Sequence, residues 1–136
     1  MIEVIIPKDR IFNLYKHQFK VMYNNAKDKI CDTNSFEFII KNTLFYGFIK
    51  DGSIIGAIYF FPDNGKLFLN AYAGRKHLED NVECVKMSLD WFNCNIYAEA
   101  QNRASALCLL RAGFKRIEGN LFGYIKGSLQ RFQHVS

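Results

Sequence analysis

The sequence predicts an α/β fold of the mixed-sheet (α+β) kind, and three observations predict it. Three apolar stretches between Leu44 and Ala73 are separated by two tight turns, which gives an antiparallel meander. The apolar spacing then changes from two to three and four and back again, which reads as strand, helix, strand. Such a crossover joins parallel strands, so the sheet must be mixed. A length of 136 residues without linker, repeat or low-complexity tract fits one domain, 1–136.

Each element has its own signal. Glu3–Ile6 reads as a short strand. Pro7 opens a helical stretch, where its fixed φ and missing N–H are tolerated. Ile11, Tyr15, Phe19 and Met22 give that helix one apolar face, and the polar run Asn24–Lys29 is expected to end it. Asn34 with Glu37 three residues on forms a capping-box pattern for a short helix from Ser35 to Lys41. Strands follow at Leu44–Ile49, Ser53–Phe61 and Lys66–Ala73, with turns at Asp51-Gly52 and Pro62–Gly65. Val82, Val85, Leu89 and Phe92 mark a helix over Asn81–Phe92, and Ile96–Ala100 alternates as a strand. Asn102 caps a last helix through Arg111, which Gly113 stops. From Phe114 the chain is β-like, with a break expected near Lys126-Gly127. The order is β-α-α-β-β-β-α-β-α-β-β.

Composition excludes several function classes. The net charge is +5, but basic residues are scattered, and neither a Lys/Arg block nor a recognition-helix pattern points to nucleic acid. No apolar run reaches the length of a membrane span, and Met1–Pro7 is too short for a signal peptide. Cys31, Cys84, Cys94 and Cys108 form no C-x-x-C pair and each lies in an apolar stretch. They are expected to be small core residues in a reducing, cytoplasmic compartment. His17, His77 and His134 have no metal-ligand spacing, so no metal site is expected. Thirteen Phe, seven Tyr and one Trp predict a bulky core, with an exposed aromatic patch for a protein partner or homo-oligomer as the sharper alternative.

The segment Asn102-Arg-Ala-Ser105-Ala-Leu-Cys-Leu109-Leu-Arg111-Ala-Gly113-Phe114 resembles the last helix of the GNAT-type (acyl-CoA) N-acyltransferase superfamily. That family places an Asn, a small residue three later, a basic residue and then Gly-Phe at this spacing, and the element order resembles it over nearly the whole chain. The resemblance implies a meander followed by a β-α-β crossover with splayed strands, and helices on both faces. It further implies acetyl-CoA as co-substrate, lying in the wedge between the two diverging parallel strands. The amine acceptor, a small molecule or a protein, attacks the thioester, and a backbone amide holds the oxyanion.

On the same resemblance Tyr72, Ala73 and Gly74 end the strand that pairs with the cofactor. Arg75 and Lys76 face its diphosphate, and Asn102 starts the neighbouring helix. The family loop reads Gln/Arg-x-x-Gly-x-Gly/Ala, but here the two glycine positions are Leu78 and Asp80, and Glu79 adds a second carboxylate. The position of the usual acid, a Tyr seven after the Asn, is Leu109, which cannot donate a proton. Tyr124 is the substitute acid named here, with Tyr97 and Tyr72 as alternatives. Glu99 is the base candidate, because alternation puts Tyr97, Glu99 and Gln101 on one face of their strand. The departures leave a second reading open: a catalytically silent GNAT-like module with a binding or assembly role, for example in a phage virion.

Overall fold

The computed structural model describes residues 1–74 and 78–126. Arg75, Lys76, His77, Gly127 and His134, which carry sequence expectations, lie outside the described residues. The elements are β1 (Ile2–Ile5), α1 (Phe12–Ala26), α2 (Phe36–Asn42), β2 (Leu44–Lys50), β3 (Ser53–Asp63) and β4 (Lys66–Ala73). They continue with α3 (Leu78–Leu89), β5 (Ile96–Glu99), α4 (Arg103–Arg111), β6 (Lys115–Glu118) and β7 (Leu121–Tyr124). The strands form one sheet in the order β1-β2-β3-β4-β5-β7-β6. Neighbours are antiparallel except β4 and β5, which are parallel. The expected order and the mixed sheet are therefore both present.

Each face of the sheet carries its own core, because successive side chains on a strand point to opposite faces. On β3, Tyr59 joins one face and Ile58 and Phe60 the other. Helices α1 and α2 cover the first with Phe12, Phe19, Tyr23, Phe36 and Ile39. Helices α3 and α4 cover the second with Val85, Leu89 and Leu109. The first core is mostly aromatic: Phe19 packs edge-on to Phe45 at 6.0 Å and stacked on Phe12 at 5.6 Å. Gly47 makes room for this, since a Cβ there would lie 2.5 Å from Phe19 Cζ. The aromatic load is thus largely internal. No helix among the described residues is long and apolar enough to cross a membrane.

Several boundaries differ from expectation, each for a local reason. Helix α1 starts at Phe12, not at Pro7, because the Asp9 carboxylate accepts the Ile6 N–H at 2.9 Å and holds the preceding residues in a turn. It runs past Asn24 to Ala26: Asn24 and Asn25 sit on its exposed face, beside the buried Tyr23. The cap of α2 is Ser35, whose Oγ accepts the Phe38 N–H at 3.1 Å. Asn34 instead donates its own N–H to Asp32, and Glu37 pairs with Lys20. Helix α3 begins and ends three residues before the expected range.

The last β stretch turns at Gly119, where φ is +52°, with no break needed until β7 ends at Tyr124. Cys31 and Cys94 are exposed in loops, against the expectation of core positions, while Cys84 is buried. Lys126 Nζ donates to the carbonyls of Leu89 and Phe92, and its N–H donates to Asn95 Oδ1 at 2.9 Å. It fastens the end of β7 to the exit of α3.

The two faces of one helix give a test of this packing. Phe19→Ala, at a position with no exposure, is expected to cost about 3–5 kcal/mol by urea unfolding. Leu14→Ala, 75% exposed on the same helix, should stay within about 0.5 kcal/mol.

Candidate functional site

The site arises where β4 and β5 part. Their parallel register holds only at Leu67↔Ile96 and Phe68↔Tyr97. Beyond it β4 stays with β3 through Gly56↔Ala73, while β5 stays with β7 through Glu99↔Leu121. The gap opens into a cleft of about 470 Å³. One wall is β4 from Asn70 to Gly74, and the other is Ala98, Glu99 and Gln101 with the start of α4 at Asn102 and Ser105. Ala71, Ala73 and Ala98 keep the walls low, so bare strand backbone faces the space. The close approach of β3 also matters: a Cβ on Gly56 would lie 2.2 Å from the Tyr72 carbonyl oxygen.

Backbone direction along β4 follows from one bond. The Gly74 N–H donates to Ile55 O at 3.1 Å, toward β3. Amides alternate along a strand, so those of Ala71 and Ala73 point the other way, toward the cleft. Helix α4 starts with Asn102 Oδ1 accepting the Ser105 N–H at 2.9 Å. It ends with Gly113 at φ +105°, the Gly113 N–H on Leu110 O and the Phe114 N–H on Leu109 O. This closure satisfies two terminal carbonyls and turns Phe114 into the core, where it is 2% exposed.

The candidate residues fall into distinct places. Glu99 is exposed at the end of β5, lining both the cleft and a hollow of about 140 Å³ shared with Asn70, Gln101, Phe61, Phe68 and Asp63. Tyr72 lines the cleft, but its ring is buried against Tyr23, and its hydroxyl donates to Phe19 O at 3.0 Å. Burial pushes its phenol far up, so it is no proton donor to the cleft. Tyr124 is not among the cleft's lining residues; its register partner is Ile96, at the closed end of the wedge, and its ring packs on Phe114 at 5.9 Å. Tyr97 lies against Phe68 at 5.8 Å, under the Lys66 ammonium. Leu109 is buried and lines the cleft. Asp80, in the first turn of α3, accepts from Lys50 Nζ of β2 at 3.1 Å. Among the described residues no cluster could hold a metal ion.

Four groups here escaped the sequence reading. Asn70 borders both cavities, and its only signal was being the single uncharged polar residue within Lys66–Ala73. Lys29 reaches the cleft from the segment after α1. Cys84 and Cys108 line its α3 and α4 sides; burial first, then the Asp80 and Glu83 carboxylates, push the Cys84 thiol up to about 12. It is therefore a neutral wall group and no nucleophile.

The cap on α4 is testable by itself. Asn102→Ala is expected to cost about 1 kcal/mol and Asn102→Gly only a few tenths, read from urea midpoints. Equal losses would show that the side chain does more than cap.

No protein-family model matches the chain, and no curated protein sequence does. Solved structures match it closely in shape. The aminoglycoside acetyltransferase AAC(6')-Ib in complex with coenzyme A superposes with a TM-score of 0.68 at 11% identity, covering 98% of this chain and 99% of that one. An N-acetyltransferase from Staphylococcus aureus Mu50 gives 0.68 at 13% identity, covering 92% and 97%. The microcin C7 self-immunity acetyltransferase MccE in complex with acetyl-CoA and AMP gives 0.62 at 11% identity, covering 91% and 92%. The fold is the GNAT-type N-acyltransferase fold, as the Asn102–Phe114 segment implied.

Proposed function

We propose that this chain is an acyl-CoA-dependent N-acyltransferase, with acetyl-CoA as co-substrate and a small-molecule or protein amine as acceptor. One observation carries the reading: the sheet opens between its two parallel strands into a cleft walled by strand backbone, with amides directed into it. Structures of the same fold crystallised with coenzyme A or acetyl-CoA support it.

In this reading the pantetheine arm lies along β4 from Ala71 to Gly74, and the thioester sits where the cleft meets Glu99. The amine attacks the thioester carbon, a C–N bond forms, and the C–S bond breaks. Glu99 takes the amine proton, directly or through water. The thiolate leaves without a protein acid, because Leu109 holds that position and Tyr124 lies outside the cleft lining. A thiolate is stable enough to do so. Arg75 and Lys76, next to Gly74 in the chain, supply positive charge to the diphosphate, and Asn102 fixes the α4 N-terminus beside it.

A second reading draws on specific residues. Leu109, together with Glu79 and Asp80 in the first turn of α3, suits a silent module with an assembly or virion role. Melting with millimolar acetyl-CoA separates the two. Ligand at a hundred times its dissociation constant adds about 2.7 kcal/mol, a shift of several degrees. Arg75→Glu should abolish that shift, and Glu99→Gln should slow turnover without changing it. No shift with any acyl-CoA overturns the enzyme reading. A shift without turnover over a panel of amines, with oligomers in light scattering, favours the silent module.

A further inference from the structure

Asn70 is committed at both ends of its side chain. Its Nδ2 donates to the Tyr59 hydroxyl oxygen at 3.0 Å, and that hydroxyl donates to Asp32 Oδ2 at 2.5 Å. Its Oδ1 accepts the N–H of the next residue, Ala71, at 3.0 Å. Tyr59 and Asn70 are cross-strand partners, so the chain of bonds runs along one face of the sheet. Asp32 comes from the segment between α1 and α2, and its other oxygen is held by the Asn34 N–H at 2.8 Å. Tyr59 is 1% exposed. Burial and the Asp32 carboxylate both keep its phenol protonated, so it remains a donor to Asp32.

The Ala71 amide is the group this device serves. It points away from β3, toward the edge that β5 has left. A continuing parallel ladder would give it a carbonyl. In the cleft an unpaired N–H is costly, and Asn70 supplies the missing oxygen from its own side chain. The free protein therefore already holds a carbonyl oxygen at hydrogen-bond distance from a cleft amide. That is the arrangement an acyl carbonyl would need. Asn70 also stands where the main cleft meets the hollow beside Glu99, the meeting point of acyl group and amine.

We propose that Asn70 is a displaceable stand-in for the acyl carbonyl, occupying the Ala71 amide in the free protein and yielding it to the thioester oxygen of an acyl-CoA. This rests on the acyltransferase reading above. Asn70 is a positioning residue, acting through the Ala71 amide. The Tyr59–Asp32 pair tethers it by Nδ2, and because Nδ2 and Oδ1 share one planar amide the tether also holds Oδ1 on the Ala71 N–H until a thioester oxygen displaces it. No bond is made or broken; one carbonyl replaces another. For the wild-type protein the acetyl group then adds little to binding, because its hydrogen bond is gained only as Asn70's is lost.

Calorimetric titration of the full chain with acetyl-CoA and with CoA, which lacks the carbonyl, tests this. The wild-type protein should bind the two with comparable dissociation constants. Asn70→Ala frees the amide: acetyl-CoA should tighten by about two- to tenfold, the worth of one net hydrogen bond, while CoA stays unchanged. Tyr59→Phe cuts the tether and should shift the ratio the same way by a smaller factor. It also carries the test if Asn70→Ala fails to fold. A ratio unchanged in the variants, or a parallel loss for both ligands, overturns the proposal and leaves the acyltransferase reading standing. Absence of binding by either ligand to the wild-type protein overturns both.

Discussion

The separation of β4 from β5 is the constraint that the rest of the molecule is built around. A parallel pair of strands normally shares a continuous ladder, and here the ladder stops after two positions. Each strand keeps its antiparallel neighbour instead, and antiparallel pairing is at least as stable per residue. The cost lies in backbone groups stranded along the opening, since buried polar groups without partners are expensive. The surroundings answer that cost one group at a time. Asn70 serves the Ala71 amide, and Asn102 serves the Ser105 amide at the start of α4. Among the described residues no buried side-chain nitrogen or oxygen lacks a partner. A cleft in a sheet is thus a place where side-chain caps stand in for a missing strand.

The opening persists because the strands on both of its sides are fixed by packing against the helices. The aromatic core under α1 and α2 fixes β2, β3 and β4 through Phe45, Tyr59 and Tyr72, and the Tyr72 hydroxyl ties β4 to α1. On the other face Ile96, Ala98 and Phe122 join β5 and β7 to α3 and α4. Closing the wedge would move one strand out of its core, and close-packed interiors resist that. Bulky rings are kept out of the opening by alternation. Tyr72 turns to α1, while Ala71 and Ala73 take the cleft-side positions.

Sequence reasoning found the architecture because its signals there are local. Asp51-Gly52 fixes one hairpin and Asn64-Gly65 the other, although Pro62 and Asp63, expected in that second turn, extend β3 instead. Asn102 and Gly113 delimit a helix by caps that need no tertiary context. It faltered where a tertiary or side-chain bond outbid a local preference. Asp9 delayed α1, and Ser35 took the cap that Asn34 seemed to offer. The site was legible as far as backbone geometry determines it. The polar chain from Asp32 through Tyr59 to Asn70 was not, because its members lie far apart in sequence and each alone looks like an ordinary loop, core or strand residue. For Tyr124, named as a substitute for the family's acid, the sequence offers no placement; strand register sets it opposite Ile96, at the paired end of the wedge.

On the acyltransferase reading, the end of the cleft beside α3 would face the diphosphate, and its chemistry is the most constrained. Glu79 and Asp80 sit in the first turn of α3, where the helix dipole favours carboxylates. The same dipole is what would attract a diphosphate, so the two carboxylates use up potential that a glycine-rich loop would leave available. Lys50 offsets Asp80 at 3.1 Å, but both side chains are partly exposed, and ion pairs of that kind contribute little. The Gly74 amide is likewise engaged by Ile55. On the acyltransferase reading, diphosphate affinity therefore leans on the charges of basic side chains more than on fixed backbone dipoles. Side-chain charge at a surface is screened within about 10 Å at 0.1 M salt. Cofactor binding by this chain should weaken with ionic strength more steeply than in a fold member whose loop supplies the cradle from its backbone.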